Sequence, residues 1–260
     1  GEWEFKVRAE DDSGKFSNYS EITGIPVGFL NNSVAYYKFN ESSGSVLINS
    51  LGSNNGNYTG SPTLGEVGIL GDAVSFNNSA TVQLAAASSR QSLGIEQNGN
   101  DTDYSVSFWI KPSATFGSLI SKNNDVSNSY EWEISLQSGR VTFDMYSEGA
   151  NASKIKRTSN ATITTLNIWY HVLVTYDASG TIGGTRMYIN GVLDESSTQS
   201  GVVGTYVRSD YTGAPLRIAN SENNNRFNGL IDEVCIWKGR ELTSSEVSEI
   251  YNSGNGLELT

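Results

Sequence analysis

Three carboxylates in the middle of the chain have the types and spacing that come nearest to a catalytic set. Glu131 and Glu133 stand two residues apart in YEWEIS, and Asp144 follows in VTFDMY. In an extended strand such residues share a face, with Cα atoms about 6.6–7 Å apart, and Asp144 can join from the neighbouring strand. Retaining glycosidases separate their carboxyl groups by about 5–5.5 Å and inverting ones by about 6.5–9.5 Å. The spacing therefore admits a glycosidase pair, although solvated strand carboxylates are also common in an acidic protein.

The only histidine, His171, lies in IWYHVLVTYD, a run with the alternation of a strand. Nucleophilic catalysis through histidine needs a serine or cysteine that the imidazole activates and a third group that orients the ring. No serine-centred elbow and no second histidine accompanies His171 in the sequence. We therefore predict a structural histidine within a strand rather than a catalyst or a metal ligand.

Composition excludes several classes of protein. A formal net charge of −11 would repel nucleic acid and anionic lipid, so we expect no nucleic-acid partner. The single cysteine excludes an intramolecular disulfide, and no apolar run is long enough for a membrane span. Many Gly, Asn and Ser residues with only four Pro, beside 10% aromatic residues, are typical of a turn-rich β protein with a real core.

The elements that must position these side chains are short alternating runs separated by Gly, Asn and Ser turns. In SVSFWIK, Val106, Phe108 and Ile110 share one face and the intervening residues share the other. Asn190-Gly191, between MYI and VLD, predicts a type I′ hairpin because both residues tolerate positive φ. These features predict an all-β fold of two face-to-face antiparallel sheets. The predicted strands are VAYYKF, AVSF, TVQL, YSVSFWIKP, GSLISK, YEWEISLQ, GRVTFDMY, KIKRT, WYHVLVTYD, TRMYI, VLD, PLRIAN and LIDEVCIWK.

One short helix is predicted near the C-terminus, in ELTSSEVSEIYNSG. Thr243 is a suitable N-cap, and Glu246 stands three residues later to complete a capping box. Gly254 is the expected end of this helix. We expect the helix to lie on the rim of the sandwich.

The first 28 residues form a separate segment. Trp3, Phe5, Val7 and Ala9 alternate with charged residues, DDSG turns the chain, and Pro26 follows a second short strand. This segment resembles the last two strands of a fibronectin type III domain. The domain prediction is therefore 1–28 as a fibronectin-like hairpin and linker, which implies a neighbouring domain or subunit there, and 29–260 as the main domain.

Six ordered segments after residue 29 resemble a laminin-G-like, concanavalin-A-like jelly roll of the bacterial and phage type. They are VAYYKFNESSGSVLINSLGSNNGNYTG, GDAVSF, YSVSFWIKP, WYHVLVTYD, RMYINGVLD and FNGLIDEVCIWKGRELTSSEV. The resemblance implies a two-sheet antiparallel jelly-roll sandwich whose concave sheet often binds sugar. Laminarinase-type glucanases on this fold carry a Glu-x-Asp-x-x-Glu run, but Leu136 stands here where the acid/base belongs. We therefore predict that the protein is not an enzyme.

The resemblance also implies a possible cofactor, a structural Ca²⁺ ion. Relatives hold this ion with an Asp side chain and backbone carbonyls, which suits a cation that takes 6–8 oxygen ligands. Asp232 in LIDEV matches the Asp of the relatives, whereas Asn40 and Asn49 stand where relatives commonly place Asp. A hydrogen-bonded Asp232 without a metal is the alternative.

Sugar binding requires exposed aromatic rings that stack on a pyranose face and planar polar groups that bond its hydroxyls. Alternation and turn chemistry equally allow core or turn roles for the candidates. They are Tyr130, Trp132, Tyr146, Tyr206, Tyr211, Arg217, Asn223, Asn224 and Asn225.

We predict a non-catalytic recognition or adhesion module that binds a glycan or another partner surface, located outside the cell, on the cell surface or on a virion. Two alternatives stay open. One is a structural or decoration protein of a phage particle or filament, and the other is the accessory domain of a polysaccharide hydrolase.

Overall fold

The computed structural model describes residues 6–7, 20–21, 28–77, 79–84, 92–124, 129–147, 150–196, 200–209, 214–221 and 225–260. The chain divides into two compact units, Gly1–Asn31 with Leu259–Thr260, and Asn32–Glu258. In the first unit, strands β1 (Lys6–Val7) and β2 (Ser20–Glu21) pair antiparallel. The fibronectin type III identity of residues 1–28 stays a prediction.

The second unit contains two large antiparallel sheets, as the fold prediction requires. One has eight strands, in the order β18-β17-β16-β11-β21-β7-β6, with β3 also pairing β21. Its strands are β3 (Ser33–Tyr37), β6 (Thr63–Val67), β7 (Asp72–Phe76), β11 (Tyr104–Pro112), β16 (Tyr170–Tyr176), β17 (Thr185–Ile189), β18 (Val192–Leu193) and β21 (Gly229–Lys238).

The other sheet has nine strands, in the order β19-β15-β14-β13-β12-β20-β8-β5-β4. Its strands are β4 (Val46–Leu47), β5 (Gly56–Thr59), β8 (Thr81–Gln83), β12 (Gly117–Asn124), β13 (Ser129–Gln137), β14 (Arg140–Ser147), β15 (Ala150–Thr158), β19 (Gly201–Val203) and β20 (Leu216–Ile218). A separate short pair joins β9 (Glu96–Gln97) and β10 (Asn100–Asp101). Every strand predicted after residue 29 overlaps an observed strand. Six observed strands were not predicted: β4, β5, β6, β9, β10 and β19.

The core lies between the two large sheets because each sheet turns its apolar face inward. Val106, Phe108 and Ile110 of β11 are buried there, which confirms their predicted shared face. From the opposite sheet, Trp132 and Ile134 of β13 belong to the same cluster. The result is the predicted jelly-roll sandwich.

The C-terminal segment covers the outer face of the eight-stranded sheet. Helix α1 (Ser244–Tyr251) begins with the predicted capping box between Thr243 and Glu246. Its Tyr251 ring stacks on Trp109, with ring centroids 5.8 Å apart. This helix therefore lies on a face of the sheet rather than on its rim, and it ends before Gly254, because Asn252 adopts the left-handed conformation with φ of 48°. Short 3₁₀ turns occupy Ile182–Gly184 and Asn252–Gly254.

Two local backbone features shape the eight-stranded sheet, one at its edge and one in an interior strand. Asn190 and Gly191 have φ values of 53° and 75°, as the predicted type I′ hairpin requires, and they join β17 to β18. A bulge at Glu233, with φ of 51°, interrupts β21. The two halves of β21 on either side of this bulge pair different strands, β7 before it and β3 after it.

Candidate functional site

The outward face of the nine-stranded sheet carries a continuous row of polar side chains. The pairing register places Arg217, Ser121, Glu133, Asp144 and Lys156 side by side on five neighbouring strands. The residues before or after them on each strand point into the core, so this row points outward. We call this surface the polar face; it comprises Ser118, Ser121, Glu133, Ser135, Thr142, Asp144, Lys156 and Arg217.

Asp144 of the polar face forms a salt bridge with Lys154. Its Oδ2 accepts a hydrogen bond from Lys154 Nζ at 2.8 Å, and its side chain is 6% exposed. At the other end of the row, Arg217 donates to the Asn123 carbonyl at 2.6 Å. Between them, Ser121 Oγ donates to the Asn220 carbonyl at 2.9 Å. Hydrogen bonds within the protein thus fix the side chains of Asp144, Ser121 and Arg217.

Several oxygen atoms on and beside the polar face have no hydrogen-bond partner within the described part of the chain. They include Asp144 Oδ1, Ser118 Oγ, Asn220 Oδ1 and Asn225 Oδ1. Ser118 and Asn220 are 0% and 7% exposed. A buried polar atom without a partner costs about 1–3 kcal/mol, so each one requires an explanation. Buried water molecules are the usual partners of such atoms.

Two tyrosines form an aromatic pair next to this row. Tyr130 and Tyr146 have ring centroids 5.2 Å apart, and both side chains are half-buried. Lys154 Nζ lies over the Tyr146 ring, 5.0 Å from its centroid, which joins the pair to Asp144. These two predicted ligand-binding residues are therefore brought together, and Arg217 lies on the same face.

A bulge in β13 separates Tyr130 from Trp132. Lys122 pairs Trp132 and Asn123 pairs Tyr130, so Glu131 is the extra residue. Trp132 is consequently turned into the core, where it is 0% exposed and its ring centroid lies 5.7 Å from that of Tyr104. We correct its predicted role, because a ring in this position cannot stack on a sugar.

The same bulge places Glu131 inside the sandwich. Its carboxylate forms an ion pair with Lys122, and both side chains are buried. The Ile95 N–H also donates to it, at 2.5 Å. Burial raises the pKa of Glu131 although the Lys122 charge opposes this. The prediction that Glu131 and Glu133 share a face is wrong, and the carboxylate pair expected of a glycosidase does not form from these two residues.

His171 is enclosed on the outer side of the eight-stranded sheet. Its Nε2 lies 2.8 Å from Ser107 Oγ, and its ring packs against Trp109 and Tyr251 with centroids 5.0 and 6.0 Å away. Complete burial lowers the pKa of His171 to about 3. The imidazole is therefore neutral at physiological pH, in agreement with the structural role predicted for it.

Tyr206, another predicted ligand-binding residue, has a phenol group that is bonded within the protein. Tyr206 donates to Asp101 Oδ2 at 2.7 Å, and Tyr176 donates to the same oxygen at the same distance. Tyr206 thus fastens its loop to Asp101, and the next residue, Val207, donates its N–H to Ser147 Oγ at 3.0 Å, directly after Tyr146 in β14. Tyr211, Asn223 and Asn224 lie outside the described residues.

The structure brings only two of the three predicted metal ligands together. Asp232 Oδ2 accepts from the Ile69 and Leu70 N–H groups at 2.8 and 3.3 Å, and Asn40 Oδ1 accepts from Asp72 N at 2.8 Å. Both residues thus bind one turn, and Asp232 Oδ1 has no hydrogen-bond partner among the residues that the structure describes. Burial raises the pKa of Asp232 to about 7.

Asn49 does not reach that turn, because its side chain accepts from Tyr36 N at 2.9 Å and organises the turn after β4. No group of three or more His, Cys, Asp or Glu residues suited to a metal occurs among the described residues. The donor oxygens of Asn40 and Asn49 already accept backbone N–H groups, whose positive ends would face a cation. These residues do not fit a Ca²⁺ site formed by all three.

Sequence reasoning missed Ser118, Lys154 and Asn220. The alternation of β12 and β15 signals that Ser118 and Lys154 face outward, but nothing in the sequence indicates which strands are neighbours. Asn220 approaches the polar face only because the chain after β20 bonds Ser121, a contact between residues far apart in sequence.

Comparisons with known proteins agree with this architecture. A laminin G family model, described as concanavalin A-like lectin/glucanases superfamily, matches residues 76–248. Domain 4 of AbnA, a GH43 extracellular arabinanase from Geobacillus stearothermophilus solved with arabinotriose, is similar over 84% of this chain and 97% of its own, with 22% identity and a TM-score of 0.56.

Two toxin domains are also similar. The binding domain of Paraclostridial Mosquitocidal Protein 1 has 20% identity and a TM-score of 0.60, over 86% of this chain and 52% of its own. The binding domain of Botulinum Neurotoxin DC, solved with SialylT, has 17% identity and a TM-score of 0.57, over 85% and 51%. The chain thus spans about half the length of these toxin domains. No curated protein sequence matches it, and no described helix is long and apolar enough to cross a membrane.

Proposed function

The chain belongs to the concanavalin A-like lectin/glucanases superfamily, and from this premise we propose that its Asn32–Glu258 unit is a non-catalytic carbohydrate-binding module that works outside the cell. The ligand would lie on the polar face beside Tyr130 and Tyr146. The membership supplies the fold, and the side chains of this chain supply the argument for the ligand.

The observation that carries the proposal is the adjacency of the tyrosine pair to the row of polar side chains. Carbohydrate sites combine aromatic rings that cover the apolar face of a sugar with polar groups that bond its hydroxyls. Here the Tyr130 and Tyr146 rings lie 5.2 Å apart. Lys154 contacts both Tyr146 and Asp144, so the rings and the polar groups form one surface.

Similar proteins support a glycan as the ligand. The arabinanase domain was solved with arabinotriose and the Botulinum Neurotoxin DC domain with SialylT. Both ligands contain sugar, although one is a neutral pentose oligomer and the other is named for a sialyl group.

The absence of catalysis is proposed from the positions of the residues that favoured it. Glu131 is buried in an ion pair with Lys122, so it cannot act together with Glu133 on one substrate. His171 is buried and neutral, with its Nε2 against Ser107. A purified protein that shortens polysaccharide chains, with this activity abolished by Glu133→Gln, would contradict the proposal.

A second candidate function is the accessory domain of a polysaccharide hydrolase. The similarity to domain 4 of an arabinanase favours it, because the chain covers 97% of that domain. This role needs the same binding surface and adds only that a catalytic domain accompanies it. The alternative of a structural protein in a phage particle stays a prediction.

Titration calorimetry with arabinotriose, lactose and 3′-sialyllactose tests the proposed function. Replacing either Tyr130 or Tyr146 by Ala is expected to lower the affinity for the glycan roughly 2- to 10-fold, which is the range for loss of one aromatic contact. Ile168→Ala is the control, since it removes an exposed apolar side chain just before β16 of the other sheet.

The contrary results are equally clear. If both tyrosine variants bind with unchanged affinity, the ligand does not bind beside Tyr130 and Tyr146 on the polar face. Binding to none of the three glycans, together with a large homomeric assembly, would favour the structural role instead.

A further inference from the structure

We propose that one end of the sandwich docks on the surface of an anionic phospholipid membrane, through the exposed side chains of Phe116 and Ile168 and the cations around them. We call this surface the loop end; it comprises the segments 111–117, 137–140, 159–170 and 225–230. The inference goes beyond the proposed function, because it concerns loops at the ends of strands and not the polar face.

The four segments of the loop end form one surface, because backbone hydrogen bonds join them. These bonds run from Asn167 N to the Pro112 carbonyl at 2.8 Å, from Ser113 N to the Asn228 carbonyl at 2.9 Å, from Gly139 N to the Thr115 carbonyl at 2.8 Å, and from Ile163 N to the Gly139 carbonyl at 2.6 Å. The tips of the segments are therefore held side by side by the ends of both sheets.

The loop end exposes apolar side chains to solvent. Phe116 is 58% exposed and Ile168 is 46% exposed. Leu166, Trp169 and Tyr170 are half-buried beside Ile168 in the same segment. Tryptophan and tyrosine are enriched where a membrane meets water, because one end of each ring is apolar and the other is polar. Exposed apolar tips in front of such rings are typical of a surface that enters the outer layer of a bilayer.

The charge of the loop end is opposite in sign to that of the whole chain. Its four segments contain Lys111, Arg140 and Arg226 but no Asp or Glu, whereas the chain has a net charge of −11. Arg140 donates to the carbonyls of Ser159 and Asn160, which leaves its charge uncompensated by these bonds.

The carboxylate that approaches the loop end is Asp194. Its Oδ1 accepts the N–H groups of Asn160 and Ala161 at 2.9 and 3.0 Å, which offset part of its charge. Glu222 precedes Arg226 in the sequence and lies outside the described residues. Cations around exposed apolar side chains complement the negative headgroups of an anionic bilayer.

The net charge of the chain does not prevent this contact, because salt screens distant carboxylates. The nine residues of β11 run from Tyr104 to Pro112 and span roughly 30 Å. Asp101 and Asp103, which precede β11, are thus several Debye lengths of about 8 Å away from the loop end. The charges within the loop end therefore determine its attraction to a surface.

A second copy of the chain fits the loop end less well than a membrane does. In a symmetric dimer the same patch of both copies meets itself, so the cations of one loop end would face those of the other. An anionic bilayer instead offers negative charge and an apolar layer to one surface at the same time.

The experiment is co-sedimentation of the whole chain with lipid vesicles. One set of vesicles contains phosphatidylcholine alone, and the other contains equal amounts of phosphatidylcholine and phosphatidylglycerol. We expect the partition coefficient to be at least about tenfold higher on the anionic vesicles, the effect of two or three cations near the surface. This preference should disappear at a salt concentration of about 1 M, where the Debye length is about 3 Å.

Three variants test the contact residues. Phe116→Ala and Ile168→Ala are each expected to lower the partition coefficient roughly 3- to 10-fold, because about half of each side chain is exposed and so is available for burial in lipid. Lys111→Gln is expected to lower it roughly fivefold on the anionic vesicles and to leave it unchanged on phosphatidylcholine.

Each kind of change has a matched control at the opposite end of the sandwich. Val67→Ala removes an apolar side chain that is 81% exposed, and Val67 pairs with Asp72 at the end of β7 that lies away from Gly229. Arg186→Gln removes a half-buried cation of β17, opposite Thr175. Both controls should partition as the unchanged chain does, and thermal unfolding should show the same midpoint for Phe116→Ala as for the unchanged chain.

Three results would overturn the inference. The first is no binding to either kind of vesicle, and the second is a loss of binding that is equal in Phe116→Ala and Val67→Ala. The third is a dimer in analytical ultracentrifugation that dissociates in Phe116→Ala, which would assign the loop end to a second copy. None of them affects the proposed function, because the vesicles contain no glycan and the polar face is tested by calorimetry.

Discussion

Protonation of His171 provides a quantitative test of how the eight-stranded sheet is covered. The imidazole is 0% exposed, between Trp109 and Tyr251, and burial lowers its pKa to about 3. In the unfolded chain a histidine has a pKa of about 6.5, so between these two values the unfolded state binds more protons than the folded state. Stability therefore falls as the pH drops from 6.5 towards 3.

The magnitude follows from the pKa difference. Each pH unit below 6.5 weakens folding by about 1.36 kcal/mol, so the penalty is about 2.7 kcal/mol at a pH of about 4.5. Asp232 and Glu233 act in the opposite sense, because burial raises their pKa values to about 7 and about 8. The effect of these two carboxylates on stability cancels when the unchanged protein is compared with a variant that keeps both of them.

The perturbation is therefore His171→Gln, which keeps a polar group near Ser107 but cannot be protonated. At neutral pH the variant is expected to be about 1–2 kcal/mol less stable, since it loses the ring contacts with Trp109 and Tyr251. At a pH of about 4.5 the unchanged protein carries the penalty, so the variant should be equally stable or slightly more stable. Urea unfolding followed by tryptophan fluorescence at both pH values measures this difference.

Ser107→Ala is the matched control, because it removes the partner of Nε2 and leaves the imidazole in place. Its stability difference from the unchanged protein should vary little with pH. Because the chain has one histidine, its imidazole NMR signals are unambiguous and should not titrate between about pH 7 and 5. A stability difference for His171→Gln that is the same at both pH values would refute the buried, neutral histidine.

Three further predictions concern other parts of the sandwich. Glu131→Gln leaves the Lys122 charge buried without its carboxylate, so the free energy of unfolding, measured in urea, should fall by about 3–5 kcal/mol. Replacing Glu131 by Leu and Lys122 by Met together should recover most of the lost stability. Thr243→Ala removes the N-cap of α1 and should lower the free energy of unfolding by about 1 kcal/mol; an unchanged value would show that the cap bond adds nothing. Calcium should not raise the melting temperature, because the oxygens of Asn40 and Asn49 already accept N–H groups. A specifically bound ion, present at 100 times its Kd, would instead add about 2.7 kcal/mol to the free energy of unfolding, and EDTA would remove that gain.

Features determined by neighbouring residues along the chain could be predicted from the sequence. The capping box of Thr243 and Glu246 and the positive φ values of Asn190 and Gly191 both depend on residues within one turn. The inward face of β11 followed from simple alternation. These local rules were sufficient to predict the class of fold and most of its strands.

The candidate site depended on features that alternation does not encode. One extra residue in β13 turned Trp132 inward and brought Tyr130 to Tyr146. Tyr130 and Trp132, which strict alternation would place on one face, therefore lie on opposite faces. Strand β3 pairs β21 through Tyr37 on one side and bridges to Asn49 on the other, which separates Asn49 from Asp232. A bulge and a strand order are properties of the assembled sheet, and neither can be predicted from the alternation of residues in a single sequence.

The packing of the C-terminal segment determines where the domain can safely be cut. Ser105 Oγ donates to the Arg240 carbonyl at 3.0 Å and accepts from Leu242 N at 3.0 Å, and Tyr251 stacks on Trp109. An expression fragment that stopped at the last strand would expose Ser105, Trp109 and His171, which are buried in the whole chain. We expect such a fragment to aggregate, so any tag, fusion partner or engineered stop codon belongs beyond Glu258, which still pairs with Lys38.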